Sequence, residues 1–395
     1  MKRFGILIIT IFILSSCGRD SHLKDVSFIS EFNKSSIRVN NYFKRTNVHY
    51  SFKSYLISYS TKDYDGSEIN ASGVVSIPDI NKEKFNIVIN CHPTIFLNSK
   101  APSQREKNSL NPAMLFSGLS GFITLEPDYI GFGKSKNKEH LYFVKSQSAR
   151  ALVDFLKAAK DFLHMQGINI DKKENYYLTG FSEGAYVALS SLKTLEESGF
   201  NIKLTAPIDG AYILEPLADK VMHYKSIQKP SIITAIANSY IKANDMWQDE
   251  LFNNKYIALI NSLFDKKHSK EQIDKALPKN LSGSDGLFKD EFIKNYSNSW
   301  LKEELKRNSA LSYNLNSKIT FLHCLGDEAI PFESALYTKM VLKNYYFKDS
   351  KLVAVEPFIS QNSKTKLRLK HKECAFVAYK TVNFLFDLDA KMQLK

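Results

Sequence analysis

The pentapeptide GFSEG, at residues 180–184, joins two segments of different hydrophobic periodicity. Residues 176–179 form a short apolar run that predicts a buried strand, whereas 182–195 carry apolar residues at helical spacing. A tight turn from a strand into a helix holds the central serine in a strained conformation with its hydroxyl exposed, and the helix N-terminus adds positive potential. The pattern makes Ser182 a candidate nucleophile; the alternative is an ordinary strand-to-helix turn that contains a serine.

The same alternation of strand and helix extends over much of the chain. Continuous apolar runs, which are typical of strands buried on both faces, occur at 85–90, 122–126, 202–208 and 319–325. Further segments with helical spacing occur at 146–163, 334–342 and 374–385. Two alternating segments around Asp65-Gly66 predict an antiparallel pair at 50–59 and 69–77. The order predicts an α/β fold with a mostly parallel central sheet flanked by helices.

The alternation stops between residues 212 and 315, where several amphipathic helical stretches and no convincing strand are found. Such a stretch is too long for a loop, so we interpret it as a helical cap inserted into the sheet domain. The predicted organisation is a signal peptide (1–16), a tether with a short helix (17–46), the first part of the core (47–211), the cap (212–315) and the second part of the core (316–395).

A serine nucleophile needs a base that takes its proton, normally a histidine that a carboxylate orients. Asp327 follows the predicted strand at 319–325. It therefore lies at the carboxyl end of that strand, where the functional sites of open parallel sheets are found. His371 lies 44 residues further on, just before the last predicted helix. Serine, then acid, then histidine is one of the known orders of such groups. Glu328 is the competing carboxylate, and a solvated histidine in a lysine-rich loop is the competing interpretation of His371.

Acyl transfer to a serine also needs N–H groups that stabilise the oxyanion, each worth about 10²–10³-fold in rate. The backbone N–H of Glu183, directly after the candidate nucleophile, is one predicted donor. The second is expected in the loop after the run at 85–90, which reads Cys-His-Pro-Thr. Because Pro93 has no N–H, Thr94 is the predicted second donor.

The N-terminus has the features of an export signal. Lys2 and Arg3 precede an apolar run at 4–14 that is too short to span a bilayer and fits a signal peptide. The sequence Leu-Ser-Ser-Cys follows at once, ends at Cys17 and resembles the lipobox of bacterial lipoproteins. The resemblance implies cleavage before Cys17, acylation of that residue and membrane attachment of an exported protein. Gly18 favours sorting to the outer membrane, and an ordinary secretory signal with a chance cysteine is the alternative.

The formal net charge is +13, and +11 once Lys2 and Arg3 are removed. A net positive charge of this size first suggests a protein that binds nucleic acid. Lysines are spread thinly along the chain, however, and no basic helix or arginine–aromatic signature occurs. We therefore expect an ordinary protein with a lysine-rich surface and no nucleic-acid partner.

Three cysteines follow Cys17, an odd number that cannot pair entirely within one chain. Cys91 and Cys324 end apolar strand-like runs, so buried thiols are the default interpretation. Cys374 lies three residues after His371, and a Cys324–Cys374 bridge is the alternative.

Several of these segments together resemble the α/β-hydrolase superfamily and, within it, the secretory lipase group. The resemblance covers about 55–385 and is carried by GFSEGA, PDYIGFGKS, the His-Pro-Thr loop and YSTKDYDGSEINASGVVSIP. It implies the α/β-hydrolase fold with an inserted helical cap. It also implies a lipase or esterase that cleaves carboxylic esters through a serine acyl-enzyme, with no metal and no cofactor. The implied partner is a small-molecule or lipid ester.

Two other functions stay open. A peptidase of the prolyl-oligopeptidase type needs an acidic pair that holds a substrate amine. The available pairs, both on predicted solvated helix faces, are Glu196-Glu197 and Glu303-Glu304. A non-catalytic binding lipoprotein on a hydrolase fold typically lacks a serine, an acid or a histidine at the site, whereas all three occur in order here.

Overall fold

The computed structural model describes residues 21–38, 43, 47–106, 109–170, 174–355 and 368–393. The strands found within these ranges are β1 Leu23–Phe32, β2 Phe52–Lys62, β3 Glu68–Pro78, β4 Ile87–Cys91, β5 Ile123–Pro127, β6 Tyr176–Phe181, β7 Ile202–Ile208, β8 Lys318–Cys324 and β9 Lys351–Val355. They form one sheet in the order β1-β2-β3-β5-β4-β6-β7-β8-β9.

The sheet is antiparallel at one edge and parallel elsewhere. Strands β1, β2, β3 and β5 pair antiparallel, whereas β5, β4, β6, β7, β8 and β9 pair parallel. Every residue of β4, β5 and β6 is buried, as expected for continuous apolar runs in a parallel sheet. The predicted antiparallel pair is β2 and β3, whose connecting turn has Gly66 at φ 84°. The predicted mostly parallel α/β sheet is therefore confirmed.

Helices cover both faces of the sheet. In chain order they are α1 Lys34–Arg38, α2 Ala113–Ser120, α3 Lys145–Met165, α4 Glu183–Glu197, α5 Leu214–Met222, α6 Pro230–Ala243, α7 Asn254–Leu263, α8 Lys270–Ala276, α9 Asp290–Asn295, α10 Trp300–Arg307, α11 Phe332–Tyr346 and α12 His371–Met392. Ile87 and Ile89 of β4 belong to the core cluster that includes residues of α3 and α4, whereas Val88 between them belongs to the cluster with α12. Successive side chains of a strand point to opposite faces, so these helices lie on opposite sides.

The segment predicted as a cap carries α5 to α10. The described part of the chain places no strand of the main sheet there, and its only β contacts are the isolated bridges Ser226–Asn280 and Phe252–Phe288. Buried side chains of the segment, such as Leu251 and Phe288, join the main core cluster. The exact division of the chain into domains stays a prediction.

Two strands were not predicted. The segment 17–46, expected to be a tether with a short helix, contains the predicted helix as α1 but also β1. The apolar and polar residues of β1 do not alternate, only Leu23 and Phe32 are buried, and the strand is held by backbone pairing to β2 at the sheet edge, so its hydrophobic pattern carries no strand signal. Strand β9 at the other edge was missed as well, because its short apolar stretch is only partly buried.

The predicted signal peptide and the lipidation residue Cys17 lie outside the described residues. Among the helices of the described ranges, none is both long and apolar enough to cross a bilayer.

Candidate active site

Ser182 stands at the end of β6 and immediately before α4. Its backbone has φ 57° and ψ −116°, a strained conformation for a residue other than glycine. A Cβ on Gly184 would overlap the carbonyl oxygen of Cys91, and one on Gly180 would overlap the carbonyl of Gly184. The two glycines of the GFSEG sequence are therefore required because the turn is packed directly against its own helix and the end of β4.

The three residues predicted to act together lie in series. Ser182 Oγ is 3.0 Å from His371 Nε2, and His371 Nδ1 is 2.6 Å from Asp327 Oδ2. The Nδ1–H donates to the carboxylate, which leaves Nε2 as the acceptor of the serine hydroxyl proton. The Phe181 ring packs against the imidazole with ring centroids 4.6 Å apart. A hydroxyl, an imidazole and a carboxylate arranged in this way can generate a serine nucleophile.

The side chain of Asp327 is fully buried in the loop after β8. Burial opposes its ionisation, but hydrogen bonds from His371 and from the N–H groups of Ala329 and Ile330 outweigh burial, and the pKa of Asp327 is below its ordinary value. The carboxylate is therefore ionised and held by three donors at neutral pH.

Glu328, the competing carboxylate, takes a different position. Its Oε2 accepts a hydrogen bond from the backbone N–H of His371 at 2.9 Å, and its Oε1 is 3.5 Å from Lys229 at the entrance to α6. The structure thus brings Asp327, and not Glu328, to the imidazole ring. Glu328 instead contacts the first turn of α12 and the cap.

Cys324 and Cys374 form a disulfide, so the default interpretation of Cys324 as a buried thiol was wrong and the alternative is correct. Cys324 ends β8, three residues before Asp327, and Cys374 lies three residues after His371. The bridge therefore ties the carboxylate loop to the helix that carries the imidazole. Cys91 is a buried free thiol, as predicted, and burial raises its pKa to about 12.

The two residues predicted as oxyanion donors lie directly after Ser182 and in the loop after β4. Glu183 is the first residue of α4, so its N–H has no partner within the helix. Thr94 follows β4 in the loop that packs on Gly184, and its Oγ1 is 2.6 Å from the hydroxyl of Tyr142. The N–H of Tyr142 in turn donates to Ser239 Oγ on α6 at 2.8 Å. The loop is thus connected to the cap by hydrogen bonds.

The side chain of Glu183 has a partner that the sequence did not reveal. Glu183 is buried, and its Oε1 is 2.7 Å from His140 Nε2, while His140 Nδ1 is 3.1 Å from the carbonyl oxygen of Ile130. This contact ties the first turn of α4 to the loop after β5. Nothing in the spacing of His140 along the sequence indicates Glu183 as its partner.

One further acidic residue near the site was missed. Asp209 directly follows β7, and its side chain is fully buried. Ligand atoms of Asp209, His323 and Asp327 lie within 4.8 Å of one another, a set of residue types that can hold a metal ion. Two of these groups are already engaged, however, because Asp327 binds three N–H groups and His323 Nε2 donates to the carbonyl of Ile330 at 2.8 Å. Asp209 could have been predicted from the sequence in the same way as Asp327, because each is an acidic residue that follows a predicted parallel strand.

The sheet order, the strained serine between β6 and α4 and the helices on both faces define an α/β-hydrolase fold. The structure is similar to that of a candidate hydrolase from Legionella pneumophila, with a TM-score of 0.80, 22% identity, and 93% of this chain and 97% of that chain covered. It is also similar to the rice cell wall degrading esterase LipA from Xanthomonas oryzae, with a TM-score of 0.76, 19% identity, and 95% and 99% covered.

A third similar structure is that of lipase A from Candida antarctica, with a TM-score of 0.60, 14% identity, and 90% of this chain and 78% of that chain covered. No protein-family model matches the sequence. No curated protein matches it either. At these identities the likeness is one of fold, in agreement with the resemblance found in the sequence.

Proposed function

We propose that this protein is a serine hydrolase that cleaves carboxylic esters. The observation that carries the proposal is the contact of Ser182 with His371, and of His371 with Asp327, at a strained turn on the carboxyl edge of the sheet. The esterase and lipase named among the similar structures support ester substrates. No step requires a metal or a cofactor.

In the proposed reaction, His371 accepts the hydroxyl proton of Ser182 at Nε2 while Oγ attacks the ester carbonyl. The N–H groups of Glu183 and Thr94 donate to the oxyanion of the tetrahedral intermediate. His371 then gives its proton to the leaving alcohol, which produces the acyl-enzyme. A water molecule that His371 deprotonates then attacks the acyl carbonyl. As the bond between the acyl carbon and Ser182 Oγ breaks, His371 returns the proton to Oγ and the acid leaves. Throughout, Asp327 keeps the proton on Nδ1 and stabilises the imidazolium.

A peptidase that holds a substrate amine is less well supported, because three of the four carboxylates in the acidic pairs are bound to other groups. Both oxygens of Glu196 accept hydrogen bonds from backbone N–H groups at residues 316 and 317. Glu197 pairs with Lys193, and Glu304 pairs with Arg307. These carboxylates stabilise their own helices and loops, which supports the ester hydrolase over the peptidase.

The proposal is tested by offering the purified protein a series of p-nitrophenyl esters and, in parallel, dipeptide amides. We expect turnover of the esters with second-order rate constants at least about 100-fold above those of the amides, because an ester has the better leaving group and Glu196, Glu197 and Glu304 are bound to other groups. A fluorophosphonate probe should label the protein stoichiometrically. Preference for the amides, or no labelling by the probe, would contradict the proposal.

We also propose that the protein is an exported lipoprotein, anchored through acylated Cys17 to the outer membrane or to the periplasmic face of a membrane. We expect no nucleic-acid partner. Two or more acyl chains give stable attachment, whereas one chain is marginal. After expression in a bacterium with two membranes, mass spectrometry should find Cys17 as an acylated N-terminus and fractionation should place the protein with membranes. Cys17→Ser should abolish acylation and membrane association; acylation that persists in this variant would contradict the proposal.

A further inference from the structure

Asp209 lies at the carboxyl edge of the sheet, next to the proposed catalytic residues. It follows β7, the strand between β6, which leads to Ser182, and β8, which leads to Asp327. The carboxyl ends of these three neighbouring strands meet at one edge of the sheet, so Asp209 lies between the other two residues. Its backbone φ of 46° is in the left-handed region, where a residue other than glycine is strained. The side chain has no exposed surface.

The carboxyl group of Asp209 has too few donors to be a buried carboxylate. Its Oδ1 accepts one hydrogen bond, from the N–H of Cys324 at 2.8 Å. No donor faces its Oδ2 among the described residues. The carboxyl of Asp327 lies within 4.8 Å. Two buried carboxyl groups this close cannot both be ionised without a cation, so one of them carries a proton.

The nearest basic groups do not supply that cation. Nε2 of His323 is 3.7 Å from Asp209 and 3.8 Å from Asp327, but it donates to a backbone carbonyl, and burial keeps the pKa of His323 below its ordinary value. Glu328 adds a further negative charge, and the Tyr212 hydroxyl accepts from the N–H of residue 210. No neighbouring basic group neutralises the pair, so one of the two carboxyl groups is itself protonated.

The proton belongs on Asp209. Asp327 binds three N–H groups, one of them from His371, whereas Asp209 binds one. Burial first, and then the charge of Asp327, raise the pKa of Asp209 to about 8, although the N–H of Cys324 acts in the opposite direction. At neutral pH Asp209 is thus a neutral acid within 4.8 Å of an ionised carboxylate.

We propose that Asp209 is a positioning residue whose O–H donates a hydrogen bond to the Asp327 carboxylate and holds it against His371. The inference rests on the proposed function and adds Asp209 to Ser182, His371 and Asp327 as a residue on which the reaction depends. Asp209 does not touch the substrate and acts only through Asp327. Loss of its proton would replace the hydrogen bond by repulsion between two carboxylates and would disturb the contact of Asp327 with the imidazole.

The activity test compares Asp209→Asn with Asp209→Ala. Asparagine can accept from the N–H of Cys324 and donate to Asp327, so it is expected to rescue most of the kcat/KM on p-nitrophenyl esters near neutral pH. Alanine removes both contacts and should lower kcat/KM about tenfold, the factor that one hydrogen bond to a charged group is worth. Above about pH 8 the wild type should lose activity through ionisation of Asp209, and Asp209→Asn should not show this loss.

A stability measurement tests the proton independently of catalysis. The pKa of Asp209 is raised in the folded protein, so the stability linked to its proton is complete below the unfolded pKa of about 4 and is lost as the pH rises towards about 8. The melting temperature of Asp209→Asn, measured relative to that of the wild type, should therefore increase as the pH rises across this range. Asp389→Asn is the control, because Asp389 is a buried carboxylate whose oxygens accept from Tyr177 and Lys318, and it should show no such gain.

Two results would overturn the inference: melting temperatures of Asp209→Asn and wild type that change in parallel with pH, or an Asp209→Asn variant that loses as much activity as Asp209→Ala. If Asp209→Ala does not fold, the comparison of Asp209→Asn with wild type still decides the question. If the protein hydrolyses no ester at all, the proposed function fails, while the melting temperatures still report whether Asp209 holds the proton.

Discussion

Replacing Ser182 by alanine is expected to lower kcat/KM on p-nitrophenyl esters by at least about 10⁴-fold while the protein remains folded. The substitution removes only the Oγ that lies 3.0 Å from His371, since the turn is held by backbone contacts such as the hydrogen bond from the N–H of residue 182 to the carbonyl of Ile208. Steady-state kinetics and a thermal melt measured on the same preparation check both parts of the expectation.

A matched control is available on the same helix. Ser190 is a buried serine of α4 whose hydroxyl donates to the carbonyl of Val187, away from the imidazole. Ser190→Ala should keep ester hydrolysis and fluorophosphonate labelling, whereas Ser182→Ala should lose both. An unchanged rate in Ser182→Ala would remove the serine mechanism from this protein.

The second large effect is expected at Asp327. Asparagine can present its amide N–H to Nδ1 and force the imidazole into the tautomer with a proton on Nε2, which cannot accept the serine proton. We expect Asp327→Asn to lower kcat about 10⁴-fold, the loss known for this kind of change in serine hydrolases. Glu328→Gln should lower kcat by less than about tenfold, because glutamine can still accept from the N–H of residue 371 and Glu328 is half exposed.

This pair of variants separates two adjacent carboxylates that the sequence could only rank. If Glu328→Gln were the more damaging change, the acid of the proposed mechanism would have to be reassigned. Because Glu328 also pairs with Lys229 of the cap, a Lys229→Met variant distinguishes an effect on the cap from an effect on the imidazole. It should leave kcat unchanged.

Some elements could be predicted because their signals are local. A strand buried on both faces is apolar throughout, and a helix repeats every 3.6 residues, so β4, β6, α3 and α4 were recognised from the residues they contain. The serine turn was recognised for the same reason, since its two glycines and its flanking elements occupy one short segment. Strand β1 had no such signal, because its apolar residues do not alternate with polar ones and backbone pairing to β2 holds it in place.

The sequence by itself determined the α/β class, the presence of a serine, an acid and a histidine in a productive order, and the helical character of the cap segment, because each is written in composition, periodicity or local turn chemistry. Only the tertiary structure decided that Asp327 rather than Glu328 meets His371, that Cys324 pairs with Cys374, and that Asp209 lies beside Asp327. These are contacts between strands and loops that are neighbours in the sheet but far apart in the chain, and no local property of the residues specifies them.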